Sequence, residues 1–189
     1  MSRSDDLNVL IRPAVPEDAD GLSRVRVLTW QAAYRGIIPD DILDNMNLAE
    51  ETSLWRQRLA TITSERSVYI AEVVVSEGSQ ADADRLVVGF GICGPERESD
   101  PEYTGELYAL YVLPEYQGQG IGRRLLQTAA EWLKEHGYER MLVYVLRDNY
   151  PSRRFYEALG GKPVREVSRE ERGVNLVEVG YGYELGSAA

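Results

Sequence analysis

Two glycine clusters have the residue types and spacing to do chemistry. Gln117-Gly118-Gln119-Gly120-Ile121-Gly122-Arg123-Arg124 lies between an apolar run and a strongly amphipathic segment. Glycines there let the main chain approach an anion closely, the free N–H groups of a first helical turn point toward it, and two arginines add charge-assisted donors. The pattern suits a pyrophosphate cradle, or a glycine-rich turn carrying a solvated arginine pair. Without the Gly-Lys-Ser/Thr ending of a P-loop, it does not indicate phosphoryl transfer. The second cluster, Gly89-Phe90-Gly91-Ile92-Cys93-Gly94, matches the letters of the dinucleotide fingerprint G-x-G-x-x-G. That motif works only where a strand turns into a helix. Here Pro95-Glu96-Arg97-Glu98-Ser99-Asp100-Pro101 follows, which begins no helix and puts negative charge where phosphates would sit. These glycines read as strand irregularities.

Other reactive residue types are sparse. Cys93 has no neighbouring cue for activation and reads as a small apolar strand residue, while His136, just before Gly137, reads as a helix C-terminal residue. Glu96, Glu98, Asp100 and Glu102 form an acidic run that could attract a cationic amine or simply be solvated. Trp30 and Tyr34, four apart on one helix face, could line a pocket or pack.

Hydrophobic periodicity supplies the elements that must position these residues. Asn8 to Arg12 is β-prone, and Pro16-Glu17-Asp18 opens a helix to about Tyr34. Arg35 to Pro39 breaks it. A second helix opens with Asn47 and Glu50 at capping-box spacing and carries Leu54, Trp55, Leu59 and Ile62. Val68 to Val75 and Leu86 to Ile92, joined through Gly78 and Ser79, predict an antiparallel hairpin. Leu107 to Leu113, the glycine loop, a helix ending near Gly137 and the run Met141 to Leu146 predict a parallel strand-helix-strand crossover. The crossover helix should bury Ile121, Leu125, Leu126, Ala129 and Leu133. A short helix from about Ser152 to Leu159 stops at Gly160-Gly161, and strands near Lys162 to Val167 and Asn175 to Leu185 should close the sheet.

Composition narrows the function classes. The chain has 189 residues, with 21 Lys+Arg against 31 Asp+Glu and a net charge of −10, a balance that disfavours wrapping nucleic acid. Length and apolar content fit one domain over residues 1–189. One cysteine and one histidine exclude an internal disulfide and a multi-cysteine zinc cage, so no metal is expected. With no apolar run near the ~20 residues that span a bilayer and no secretory pattern at Met1-Ser2-Arg3-Ser4-Asp5-Asp6, neither a membrane nor export is expected. The expected location is the cytoplasm.

The segment Gln117-Gly118-Gln119-Gly120-Ile121-Gly122 resembles the Q/R-x-x-G-x-G/A pattern of the GNAT family of acetyl-CoA-dependent N-acyltransferases. Leu110-Tyr111-Val112-Leu113-Pro114-Glu115 before it resembles the family's cofactor strand, and Asn149 with Phe155-Tyr156-Glu157-Ala158-Leu159-Gly160 stands at the family's spacing. The likeness is strong from about Glu106 to Val164 and looser from Asn8 to Gly94. Trp30 to Pro39 is similar to a subset of bacterial members whose acceptors are mostly unassigned. The resemblance implies an α/β fold with a mixed, mostly antiparallel central sheet and helices on both faces. It also implies acetyl-CoA as acyl donor, an amine acceptor that an overall negative field would favour as a cation, and a possible homodimer.

Site roles follow from the same resemblance. Two parallel strands should splay, so that the pantetheine arm hydrogen-bonds to backbone around Leu110, Tyr111 and Val112. A backbone N–H near Val112 would stabilise the oxyanion, a device worth ~3 kcal/mol per donor. Backbone from Gln117 through Arg124, with Gly118, Gln119, Gly120, Ile121, Gly122 and Arg123, would hold the diphosphate, and Asn149 would help position the pantetheine. Tyr156 is the expected acid: a phenol of pKa ~10 donates to a nascent thiolate. Its alternative is a core pair with Phe155. A base is harder to place. Tyr144 stands where some members have a glutamate, and Glu106 at the start of the cofactor strand could act through water or be a strand-end carboxylate. Gly161 stands where an aromatic residue is common, which should loosen packing beneath the last strands. An acyl-CoA-sensing module, or an enzyme for longer acyl groups, are the alternatives to acetyl transfer.

Overall fold

The computed structural model describes residues 8–74, 85–171 and 173–186. In chain order the elements are β1 (Val9–Pro13), α1 (Ala19–Ala33), α2 (Asp40–Asp44), α3 (Leu48–Ala60), β2 (Ser67–Val74), β3 (Arg85–Pro95), β4 (Gly105–Val112), α4 (Ile121–Glu135), β5 (Arg140–Leu146), α5 (Tyr150–Ala158), β6 (Lys162–Glu171) and β7 (Val174–Glu184). Seven strands make one sheet in the order β1-β2-β3-β4-β5-β7-β6. Every neighbouring pair is antiparallel except β4 and β5. The expected hairpin and crossover are both present, whereas the turn at Gly78 and Ser79 lies outside the described residues. The expected last strands join the sheet in inverted order, with β7 between β5 and β6.

Local chemistry explains the helix boundaries. Asn47 Oδ1 accepts from the N–H groups of Ala49 and Glu50, and its Nδ2 donates to Glu50 Oε1, so the start of α3 is capped as its sequence predicts. Trp55 and Leu59 bury on this helix, but Leu54 is exposed, and Ile62 lies past the helix end and is exposed too. The short α2 carries no periodic signal in the sequence. It is held from outside itself: Gln31 Nε2 donates to Leu43 O, and Arg35 pairs with Asp40 and Asp44.

Helices cover both faces. The Trp55 ring of α3 meets Phe90 of β3 edge-on at 5.2 Å, whereas a Cβ at the adjacent Gly89 would lie 3.3 Å from Leu125 of α4. Neighbouring residues of a strand face opposite ways, so α3 and α4 lie on opposite sides. Gly122 of α4 approaches the Phe155 ring of α5 so closely that a Cβ there would lie 3.1 Å from it, which puts α5 beside α4. The predicted apolar stripe of α4 is buried in full.

One irregularity opens the sheet. Opposite β3, Ile92 faces Ala109 and Cys93 faces Leu107, which leaves Tyr108 as the extra residue of a bulge in β4. Parallel pairing of β4 with β5 ends at this point: its last partners are Leu107 and Val143, although β4 continues to Val112 and β5 to Leu146. Beyond the bulge the two strands no longer pair.

Candidate active site

The unpaired length of β4 offers its backbone to the split. Leu113 N–H donates to Val88 O at 2.8 Å, so it points toward β3. N–H groups alternate along a strand, so those of Val112 and Leu110 point away from β3, toward β5. Gln117 Nε2 donates to Val112 O at 2.9 Å on that open side, as this alternation requires.

At the end of the split sits the N-terminus of α4. Gly118 and Gly120 hold φ of +74° and +80°, left-handed values that a side chain would strain. Arg124 N–H makes the first helical bond, to Gly120 O, and Gly120 caps without any side-chain acceptor. The N–H groups of Ile121, Gly122 and Arg123 precede it and lack a helical partner. No acidic residue occupies the first turn.

A groove of about 430 Å³ runs along these features. Of the residues predicted from sequence, Leu110, Tyr111, Val112, Gln117, Gly118, Gly120, Gly122, Arg123, Asn149 and Tyr156 line it. Four do not. Gln119 is exposed and donates to Glu115 O, Ile121 is buried in the core and can offer only its main chain, and the Arg124 side chain is exposed outside the groove. Glu106 does not line the groove either. It is 1% exposed, and both carboxylate oxygens accept from Arg97, at 2.5 Å from Nη2 and 3.1 Å from Nε. Its geometry makes it the anchor of Arg97.

Tyr156 packs edge-on to Phe155 and is buried, as the core-pair alternative expects, and it also lines the groove. Burial, with Tyr183 and Tyr111 nearby, pushes its hydroxyl far above the ordinary phenol range and keeps it protonated at neutral pH. Asn149 is buried and its Oδ1 accepts from Ser152 N at 3.3 Å, capping α5. The expected loosening at Gly161 is absent. Tyr183 fills the space, its hydroxyl lying 2.6 Å from where a Cβ would stand and donating to Tyr156 O.

A larger cavity, about 770 Å³, opens mainly on the α1 and α3 side. Tyr34, Tyr108, Ala109, Tyr111 and Tyr144 line both spaces, so the two adjoin at the split. Trp30 and Tyr34 both line the cavity and contact each other edge-on at 5.2 Å. Burial raises the Tyr34 hydroxyl well above the usual phenol range, with Tyr111, Tyr156 and Glu178 adding to the shift. Glu178 of β7 also lines the cavity. Burial raises its carboxyl above the ordinary glutamate range, against the opposing pull of Arg169 and Arg97.

Sequence reasoning missed Glu178 and the arginines of this cavity, Arg26, Arg58, Arg66, Arg97 and Arg169. Two left a local trace: Arg26 and Trp30 are four apart, and Trp55 and Arg58 three apart, both helical stacking distances. The other residues come together only through the sheet.

The residues set aside from the sequence are structural. Cys93 is fully buried and its thiol is pushed up to about 12 by burial. His136 stacks on Trp132 at the end of α4. The glycines from Gly89 to Gly94 lie within β3, which no helix follows. The acidic run is engaged: Glu96 and Asp100 accept from backbone N–H groups, while Glu98, Asp100 and Glu102 pair with Arg169, Arg165 and Arg140. Among the described residues there is no group of side chains fit to hold a metal, and no helix is long and apolar enough to cross a membrane.

A mixed sheet split at a bulge, with an uncapped glycine-flanked helix at the end of the split, defines an acyl-CoA N-acyltransferase fold. The chain belongs to the acetyltransferase (GNAT) family, whose model matches residues 38–161. It is 39% identical over 175 residues to the uncharacterized N-acetyltransferase YuaI of Bacillus subtilis, a match covering 93% of this chain and 92% of that one. Its fold resembles PaiA N-acetyltransferase from Thermoplasma acidophilum in complex with coenzyme A, with a TM-score of 0.65, 21% identity and coverage of 94% and 99%. The yncA protein of Salmonella typhimurium, solved with acetyl-CoA, gives a TM-score of 0.65 at 21% identity, covering 96% of each chain. The protein is a GNAT N-acetyltransferase.

Proposed function

We propose that this N-acetyltransferase moves an acetyl group directly from acetyl-CoA to a primary amine, with the coenzyme in the 430 Å³ groove and the amine in the 770 Å³ cavity. One observation carries the reading: the split leaves main-chain N–H groups of Leu110 and Val112 unpaired by any strand, in line with the uncapped start of α4. The fit is chemical as well as spatial. A pantetheine arm can complete strand hydrogen bonds, and a diphosphate suits free N–H groups at a helix start.

Acetyl-CoA supplies a thioester whose acyl carbon an amine can attack, with release of the thiol. The chain's residues do the rest. Val112 N–H is the donor aimed into the split, suited to a developing oxyanion. Tyr156 holds a proton on Oη and can pass it to a departing sulfur. Glu178 has Oε2 held by Arg169 at 3.0 Å and takes the proton of the incoming ammonium. Glu106 enters only through Arg97.

The test is thiol release from acetyl-CoA with a panel of primary amines, alongside calorimetry with coenzyme A. Amine-dependent release and saturable coenzyme binding are expected. Coenzyme binding without release for any amine would make the protein a sensor, and no binding at all would remove the groove from its role.

A further inference from the structure

We infer that the acceptor is an amine that also carries a carboxylate, held by the arginines of the larger cavity; this rests on the acetyltransferase reading above and specifies its substrate. The chain's charge of −10 would draw cations, yet five arginines line this one cavity. Each lies against an aromatic ring that also lines it: Arg26 on Trp30, Arg58 on Trp55, Arg66 and Arg97 on Tyr108, and Arg169 on Tyr144, at 4.1 to 5.5 Å from the ring centroids. A guanidinium stacked on a ring is fixed in orientation while its in-plane N–H donors stay available for a planar anion.

Three of the five are already matched by carboxylates: Arg26 by Glu51, Arg97 by Glu106, and Arg169 by Glu98 and Glu178. Arg58 and Arg66 have no carboxylate partner among the described residues. Two further donors point the same way. Trp55 Nε1 and Tyr144 Oη are buried on this lining without a hydrogen-bond partner. An indole N–H can only donate, so it calls for an acceptor atom that a ligand would bring. Glu65, Glu170 and Glu178 also line the cavity, so its wall carries both signs. Such a wall matches a zwitterion: Glu178 for the ammonium, Arg58 and Arg66 for the carboxylate. A polyamine or aminoglycoside would instead set its cations against arginines.

The experiment compares the standard L-amino acids and short peptides with the same compounds lacking the carboxylate, as decarboxylated amines or amides. Thiol release gives kcat/KM, and quenching of Trp30 and Trp55 fluorescence gives binding without turnover. The carboxylate-bearing member of the best pair should be favoured by roughly tenfold to hundredfold, the size of a charge-assisted hydrogen bond. Arg58→Gln with Arg66→Gln should shrink that ratio about tenfold, mainly through KM. A preference for the members without a carboxylate, or equal rates, would overturn the inference while leaving the acetyltransferase reading intact. Absence of saturable quenching by every carboxylate-bearing amine overturns it whatever the turnover. Failure of coenzyme A to bind in calorimetry is the separate result that removes the parent reading.

Discussion

The proposed donor groove and acceptor cavity adjoin at one split in the sheet, but they are made of different material. The groove is built largely from backbone: open strand N–H groups on β4, two left-handed glycines and the free first turn of α4. The cavity is built mainly from side chains delivered by α1, α3, β4, β5, β6 and β7 and the loops before β2 and after β3. In the proposed arrangement backbone would read what every acyl-CoA shares, whereas side chains can be exchanged without disturbing the sheet. A change in the groove should therefore affect the coenzyme with every acceptor, and a change in the cavity should affect acceptors selectively.

The sharpest way to break this contrast is Gly120→Glu. Gly120 sits at φ +80°, and a carboxylate there adds strain and negative charge where the diphosphate is proposed to bind. Coenzyme A affinity, measured by calorimetry on folded protein, should fall by at least roughly a hundredfold, the loss of one or two charge-assisted contacts. Retained affinity would mean that the helix start does not hold the diphosphate. Tyr156→Phe comes next. Its hydroxyl is proposed to hand a proton to the departing sulfur, so removing it should lower kcat by roughly a hundredfold and leave the coenzyme Kd nearly unchanged. An unchanged kcat would reduce Tyr156 to its packing role.

These two positions also show what the sequence made legible. The glycine loop, α4 and the spacing from Asn149 to Tyr156 are contiguous, so local pattern carries them. The acceptor side is not contiguous. Arg66 and Arg97 reach the same Tyr108 ring from separate segments, and Glu178 arrives on β7, which slots between β5 and β6. The bulge at Tyr108 depends on pairing with β3, and α2 on contacts from Gln31 and Arg35, so neither leaves a periodic signal. Glu106 shows the converse: its position on the cofactor strand was legible, but its capture by Arg97 was not.

A smaller effect is expected on the cavity side at Glu178. Its carboxyl titrates above the ordinary glutamate value of ~4.3 because burial disfavours the charge. A proton-accepting group works only when ionised, so kcat/KM for the amine should fall as pH drops through that raised value. Glu178→Gln should abolish this limb, leave only the titration of the amine itself, and slow the reaction at neutral pH roughly tenfold, at or below the low end of such effects. The limb persisting in the variant would assign it elsewhere.

The mildest perturbation tests whether the groove is backbone alone. Asn149 lines it, yet its Oδ1 is committed to Ser152 N at the start of α5. Asn149→Ala should cost about 1 kcal/mol in urea unfolding, the usual loss of a helix cap. Asn149→Ser restores a capping oxygen but not the amide N–H₂. If Asn149 serves only to hold α5, and through it Tyr156, the serine variant should recover both stability and coenzyme affinity. Recovery of stability without affinity would show the amide reaching the pantetheine, and would make Asn149 a position where side-chain recognition enters the donor groove.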